Sequence, residues 1–189
     1  MNVQEDIKKA VETMRQGGVI LYPTDTVWGI GCDATNAEAV AKVYKIKHRD
    51  DSKALICLVD SDVRMQRYVR NAPEVAWQIM ELATKPTTVI FDNAVNLAPN
   101  LIAEDGSIAM RITKEPFSKE LCYRFQKPIV STSANISGEP AAENYKDISE
   151  ELLNAVDYVC YSRRQEKNPH TPSSIIRIKN DGQVEIIRK

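Results

Sequence analysis

Short runs that are apolar at every position, and that end abruptly in hydroxyl-rich or proline-containing turns, constrain this chain most. Val19-Ile20-Leu21-Tyr22 stops at Pro23-Thr24-Asp25-Thr26, and Pro128-Ile129-Val130 stops at Ser131-Thr132-Ser133-Ala134-Asn135. A strand that is apolar on both faces must be covered on both, which points to a sheet with helices packed against it. Residues 54–59 have the same character, Ile108–Ile112 is a strand bearing Arg111, and the β-branched Thr87–Phe91 also reads as a strand.

Helical spacing fills the intervals. Val3, Ile7, Ala10, Val11 and Met14 share a face before the stop at Gly17-Gly18. Thr35 with Glu38 has the capping-box spacing and opens a helix through Val40, Val43 and Tyr44 that runs out near Lys47. Asp62 caps a helix through Val69, Pro73 opens one carrying Val75, Ala76, Ile79, Met80 and Leu82, Pro116–Phe125 is helical, and another helix lies near 148–155. Residues 92–106 form the longest aperiodic stretch. Residues 157–161, 173–178 and Val184–Arg188 read as strands, the last two joined by Asn180-Asp181-Gly182. The expected fold is therefore α/β: a single domain over 1–189, a twisted mixed β-sheet with helices packed on it.

At 189 residues the chain supports one well-packed core and is short for two ordinary domains. A formal net charge of −1 provides no global basic field to recruit nucleic acid, so any RNA contact would have to be local. The N-terminus lacks a cationic segment followed by an apolar run, and no apolar stretch reaches membrane-spanning length, so the expectation is a cytoplasmic protein with no membrane association. Four dispersed cysteines without a CxxC pair, and only two histidines, argue against zinc and for buried free thiols.

Three regions could do chemistry. In residues 22–34, Thr24 and Thr26 can point hydroxyls into a cleft at a strand end, where open α/β sheets bind ligands; the plainer reading is a tight connection whose glycines allow positive φ. Lys47, Arg49 and Lys53 could neutralise a triphosphate, or simply be a solvated basic helix end flanked by Asp50 and Asp51. Arg111, inside an apolar strand, must reach a carboxylate, an anionic ligand or the wet face of the sheet. No Ser-His-Asp arrangement, Walker A or GxGxxG pattern is present, so chemistry here would rest on positioning and charge stabilisation.

Together these segments resemble the YrdC family. Residues 22–34 are similar to its YPTxTxYGLGxDA opening, Lys47-x-Arg49 to its KxR signature, residues 107–111 to its TxAVR strand, and Ser133-Ala134-Asn135-x-Ser137-Gly138 to its SAN-x-SG signature. The resemblance implies a YrdC-like fold and synthesis of L-threonylcarbamoyladenylate from L-threonine, bicarbonate and ATP, with release of pyrophosphate, for tRNA threonylcarbamoyladenosine modification. It implies catalytic roles for Lys47 and Arg49. Nucleotide binding falls to Lys47, Arg49, Lys53, Ser107, Ser131, Ser133, Asn135 and Arg188, and threonine binding to Thr26, Arg111 and Ser173. Mg2+ accompanies ATP, with no metal ligand from protein side chains.

The chain resembles the short form of the family, without an extra C-terminal domain, which hands its product to separate tRNA threonylcarbamoyl-transfer proteins. It departs from the pattern where Asp50 and Ala54 replace prolines, Ala83-Thr84-Lys85-Pro86-Thr87-Thr88 stands for WPGPLT, and Arg177 replaces an aspartate. The alternative is a non-catalytic YrdC-like RNA- or nucleotide-binding module, in which Lys42, Lys45, Lys47, Arg49 and Lys53 line a phosphate-binding surface.

Overall fold

The computed structural model describes residues 1–48, 55–167 and 172–189. Among these residues nine strands form one mixed sheet. They are β1 (Ile20–Tyr22), β2 (Gly29–Gly31), β3 (Ile56–Val59), β4 (Thr87–Phe91), β5 (Ile108–Ile112), β6 (Ile129–Ser133), β7 (Tyr158–Val159), β8 (Ser174–Ile178) and β9 (Val184–Arg188), in the order β7-β1-β2-β6-β3-β5-β4-β8-β9. The pairs β1/β7, β3/β5 and β4/β8 are parallel, and the others are antiparallel. The mixed sheet expected from the apolar runs and the C-terminal hairpin is the one observed.

Among the described residues six α-helices accompany it: α1 (Val3–Arg15), α2 (Ala37–Ile46), α3 (Asp62–Met65), α4 (Glu74–Leu82), α5 (Pro116–Phe125) and α6 (Glu150–Ala155). Local chemistry explains their ends. Asn2 and Glu5 form a reciprocal capping box at α1, and Glu115 accepts from the Phe117 and Ser118 amides just before Pro116 opens α5. The apolar face of α1 (Ile7, Ala10, Val11, Met14) is buried with Leu121, Cys122 and Phe125 of α5 in one core under the sheet. All four cysteines are free and buried. Burial pushes the Cys57 thiol up to about 12 and Cys32 higher still, so neither is an available nucleophile.

Several local expectations shift. The cap of α2 is Asn36, whose side chain accepts from the Glu38 and Ala39 amides, while Thr35 is held by Asp33. The helix opened at Asp62 ends at Met65 instead of Val69, because Val69 bridges Ala94 and Arg70 donates to the Asn93 carbonyl. The segment 157–161 contributes only the two-residue β7.

Two corrections bear on the site. The glycines at 29 and 31 are not turn residues with positive φ; they form β2 itself. A Cβ on Gly31 would come within 2.6 Å of the Tyr22 ring and of the Val130 carbonyl, so close strand packing demands the glycine. The hydroxyl-rich stretch after Val130 does not begin a turn either, since β6 continues through Ser133.

Candidate functional site

The Thr24–Asp25–Thr26 segment leaves β1 and is folded on itself. Thr24 Oγ1 donates to the Val27 carbonyl at 2.7 Å and accepts from the Thr26 amide at 3.1 Å. Its neighbours meet Arg111, which projects from the interior strand β5, between β3 and β4, and is only 3% exposed. Arg111 Nη2 lies 2.9 Å from Asp25 Oδ1 and 3.3 Å from Thr26 Oγ1. The alternative of a solvent-facing Arg111 is thus excluded. Desolvation raises the Asp25 carboxyl above its ordinary value despite the opposing attraction of Arg111. Although Arg111 Nη2 is close to Asp25 Oδ1, no hydrogen bond is aligned on that oxygen, and Arg111 Nε is buried without a partner. A buried guanidinium N–H left open is an expensive state that an anionic ligand would relieve.

The network continues across the sheet. Arg111 Nη1 donates to Thr88 Oγ1 at 3.4 Å, and Thr88 Oγ1 lies 2.9 Å from Ser173 Oγ. Arg188 then donates from Nε and Nη2 to the Ser173 carbonyl at 3.0 and 2.8 Å. The family resemblance gives Ser173 to threonine and Arg188 to the nucleotide; the two are hydrogen-bonded neighbours, because parallel pairing of β4 with β8 and the β8/β9 hairpin bring their ends together.

A cleft of about 490 Å3 opens over this row, lined by Thr26, Arg111, Ser131, Ser133, Ser173 and Arg188 among others. Six residues anticipated from the sequence therefore share one cavity. A larger hollow of about 1000 Å3, between the starts of α1 and α5 and residues 161–166, contains none of them. Convergent polar groups, more than size, mark a ligand site.

Lys47, at the end of α2, is 2% exposed, and its Nζ donates at 2.6 Å to the carbonyls of Ser133 and Asn135. The basic-helix-end reading fails for it, since the ammonium is turned inward onto the end of β6. Asn135 stays outside the cleft lining; its Nδ2 donates to the Ile136 and Glu139 carbonyls, while Oδ1 is buried without a partner. Ser107 also lies outside the lining. It is buried just before β5, its amide donating to Asp105 Oδ1, on the same alternation as the cleft residues Ala109 and Arg111. Arg49 and Lys53 lie outside the described residues.

Sequence reading missed Asp25 and Thr88. Asp25 sits inside the recognised opening motif, but nothing local tells that it faces a strand eighty-odd residues away. Thr88 looked like ordinary β-branched strand filling, and only its place opposite Ser173 makes it a relay.

Residues 12–189 match the family model Sua5_yciO_yrdC, described as telomere recombination. The chain belongs to the Sua5/YciO/YrdC family. A relative from Stenotrophomonas maltophilia, named threonylcarbamoyl-AMP synthase, is 38% identical over 154 residues, covering 80% of this chain and 83% of that protein. The fold is similar to that of E. coli YciO, with a TM-score of 0.84 at 23% identity over 98% of this chain and 89% of that one. It is also similar to P. abyssi Sua5 complexed with L-threonine, with a TM-score of 0.81 at 23% identity over 94% of this chain and 52% of that one. The chain thus spans about half of that Sua5. The YrdC-like fold expected from the motifs is the fold observed.

Proposed function

We infer that this protein is a nucleotidyltransferase that makes L-threonylcarbamoyladenylate from L-threonine, bicarbonate and ATP, releasing pyrophosphate, for tRNA modification. The observation that carries the reading is the 38% identity to a named threonylcarbamoyl-AMP synthase over four-fifths of the chain. The polar cleft at the ends of β5, β6 and β8 supports it.

On this reading, the threonine carboxylate meets Arg111, whose unpartnered Nε supplies an open donor, with Thr26 and Ser173 on either side. Ser107, Ser131, Ser133, Asn135, Arg188 and the cations Lys47, Arg49 and Lys53 serve the nucleotide. The threonine amine and bicarbonate combine to N-carboxy-threonine with loss of water. The new carboxylate attacks the α-phosphorus, and the bond to pyrophosphate breaks. An anion attacking an anion is slow unless negative charge is spread over fixed cations, the role assigned to Lys47 and Arg49. Enclosure protects the labile carbamate from water.

Among the described residues no three His, Cys, Asp or Glu side chains converge on a metal site, and Asp25 already faces Arg111. On this reading magnesium enters with the substrate as MgATP, without a ligand from protein side chains. Among the described residues no helix is long and apolar enough to cross a membrane. The cytoplasm is the compartment we propose, with transfer to tRNA by separate proteins and at most a weak tRNA contact by this single domain.

The test is incubation with ATP, L-threonine and bicarbonate, with pyrophosphate release and mass detection of the adenylate as readouts. Release that depends on both threonine and bicarbonate is expected. Equal release with threonine omitted would overturn the synthase reading, and absent turnover with steeply salt-dependent tRNA binding would favour the binding module.

A further inference from the structure

Arg163 belongs to none of the motifs, yet it reaches the back of the candidate site. It lies in the connector after β7 and adopts a left-handed backbone, φ 63, that a long L side chain rarely takes. Its Nη1 donates to the Thr24 carbonyl at 2.9 Å and lies 3.2 Å from Glu115 Oε1, while Nε is 2.6 Å from Glu166 Oε2. Glu115 is itself fixed, because it caps α5. The adjacent Arg164 goes the other way, donating to the carbonyls of Val159 and Cys160 and lying over the Tyr145 ring. One arginine anchors the connector to its own strand, and the next leaves it to hold a different element.

We propose that Arg163 is a positioning residue for the threonine side of the site, bracing the Thr24 carbonyl so that the segment through Thr26 keeps its hydroxyl and Asp25 against Arg111. Three features carry this. The backbone strain persists only because the surroundings hold it, and such strain tends to collect where geometry matters for function. The Thr24 hydroxyl relays the brace, since it fixes both the Thr26 amide and the Thr26 hydroxyl, the latter at 3.2 Å. On the nucleotide side, Lys47 donates to the Ser133 carbonyl at the end of β6, whereas the contacts of Arg163 fall on Thr24, Glu115 and Glu166. Arg163 thus acts at one end of the cleft through contacts that do not touch it.

The inference rests on the assignment of Thr26 and Arg111 to threonine. The variants are Arg163→Ala and Arg163→Lys, read by steady-state titration of threonine and ATP separately and by thermal melting. Arg163→Ala should raise the half-saturating threonine concentration about tenfold, the scale of one hydrogen bond to a charged group, and leave that of ATP within about twofold. Arg163→Lys should recover part of the loss, because an ammonium can still donate to one of the acceptors. Unchanged threonine dependence in Arg163→Ala overturns the proposal. So does a parallel rise for both substrates with a falling melting temperature and no recovery in Arg163→Lys, the signature of a purely structural role. If the wild-type chain forms no adenylate, the synthase reading fails on its own, and calorimetric titration of the same variants with L-threonine decides the positioning role.

Discussion

Arg111 and Asp25 face each other at 2.9 Å with side chains only 3% and 10% exposed, on segments that are distant in sequence. Burial disfavours the charged carboxylate enough to raise its pKa despite the neighbouring cation, so the pair is not there chiefly for stability. It orients a guanidinium under the cleft. Asp25→Asn should lower stability by about 3 kcal/mol, the lower end of the range for breaking a buried pair, and weaken threonine binding as Arg111 loses its anchor. Urea unfolding and threonine titration check the two halves; unaltered threonine binding would make the pair merely structural.

Arg111 and Thr26 themselves should discriminate between the substrates. Arg111→Lys loses the planar fork, and Thr26→Val removes one hydroxyl at near-constant volume, a loss of about 1.5–3 kcal/mol when the partner is charged. Both should raise the threonine concentration for half-maximal rate more than that for ATP. A shift in ATP dependence alone would mean these residues serve the other ligand.

Lys47 should behave as an internal strut. Lys47→Met keeps the bulk but deprives the Ser133 and Asn135 carbonyls of a charged donor. The expected cost is about 1.5–3 kcal/mol of stability, together with a higher half-saturating ATP concentration and lower turnover, because the cation assigned to charge stabilisation is lost as well. Chemical denaturation compared with ATP titration gives the answer, whereas a solvated helix end would show almost no change.

Gly31→Ala should be strongly disruptive although its φ is unexceptional. The added methyl meets the Tyr22 ring and the Val130 backbone at 2.6 Å, and backbone cannot swing aside. Overpacking of this kind costs about 1–3 kcal/mol or more, and displaces β2 beside the cleft. The melting temperature of the variant measures it directly.

Asp6 supplies a pH-dependent contribution. Burial alone would raise its carboxyl, but hydrogen bonds from Ser162, Tyr158 and the Tyr161 and Ser162 amides outweigh it and hold the group below 3.8. A carboxyl depressed on folding stabilises above its unfolded pKa, and that stabilisation fades as pH falls through the folded value. The stability gap between the wild type and Asp6→Asn should therefore be widest near neutrality and narrow below about pH 4. Denaturation of both at several pH values tests the sign.

The division between sequence and tertiary structure follows interaction range. Pro116–Phe125 is read to the residue from the sequence because its signal is local: Phe117, Leu121 and Phe125 recur at i, i+4 and i+8. The strands at 87–91, 108–112 and 184–188 are legible for the same reason, as are the opening and SAN motifs, whose residue types are local facts. Pairing is not local. Whether the 29–31 glycines turn or extend depended on Tyr22 and Val130 lying alongside, and where Arg111 points depended on Asp25, Thr26 and Thr88 arriving from other elements. The sequence determined most of the strands and helices, though not β2, and which chemical groups they carry; strand order and burial alone decided that Thr26, Arg111, Thr88, Ser173 and Arg188 form one continuous polar row, because desolvating a charge forces it onto whatever partners the sheet brings within reach.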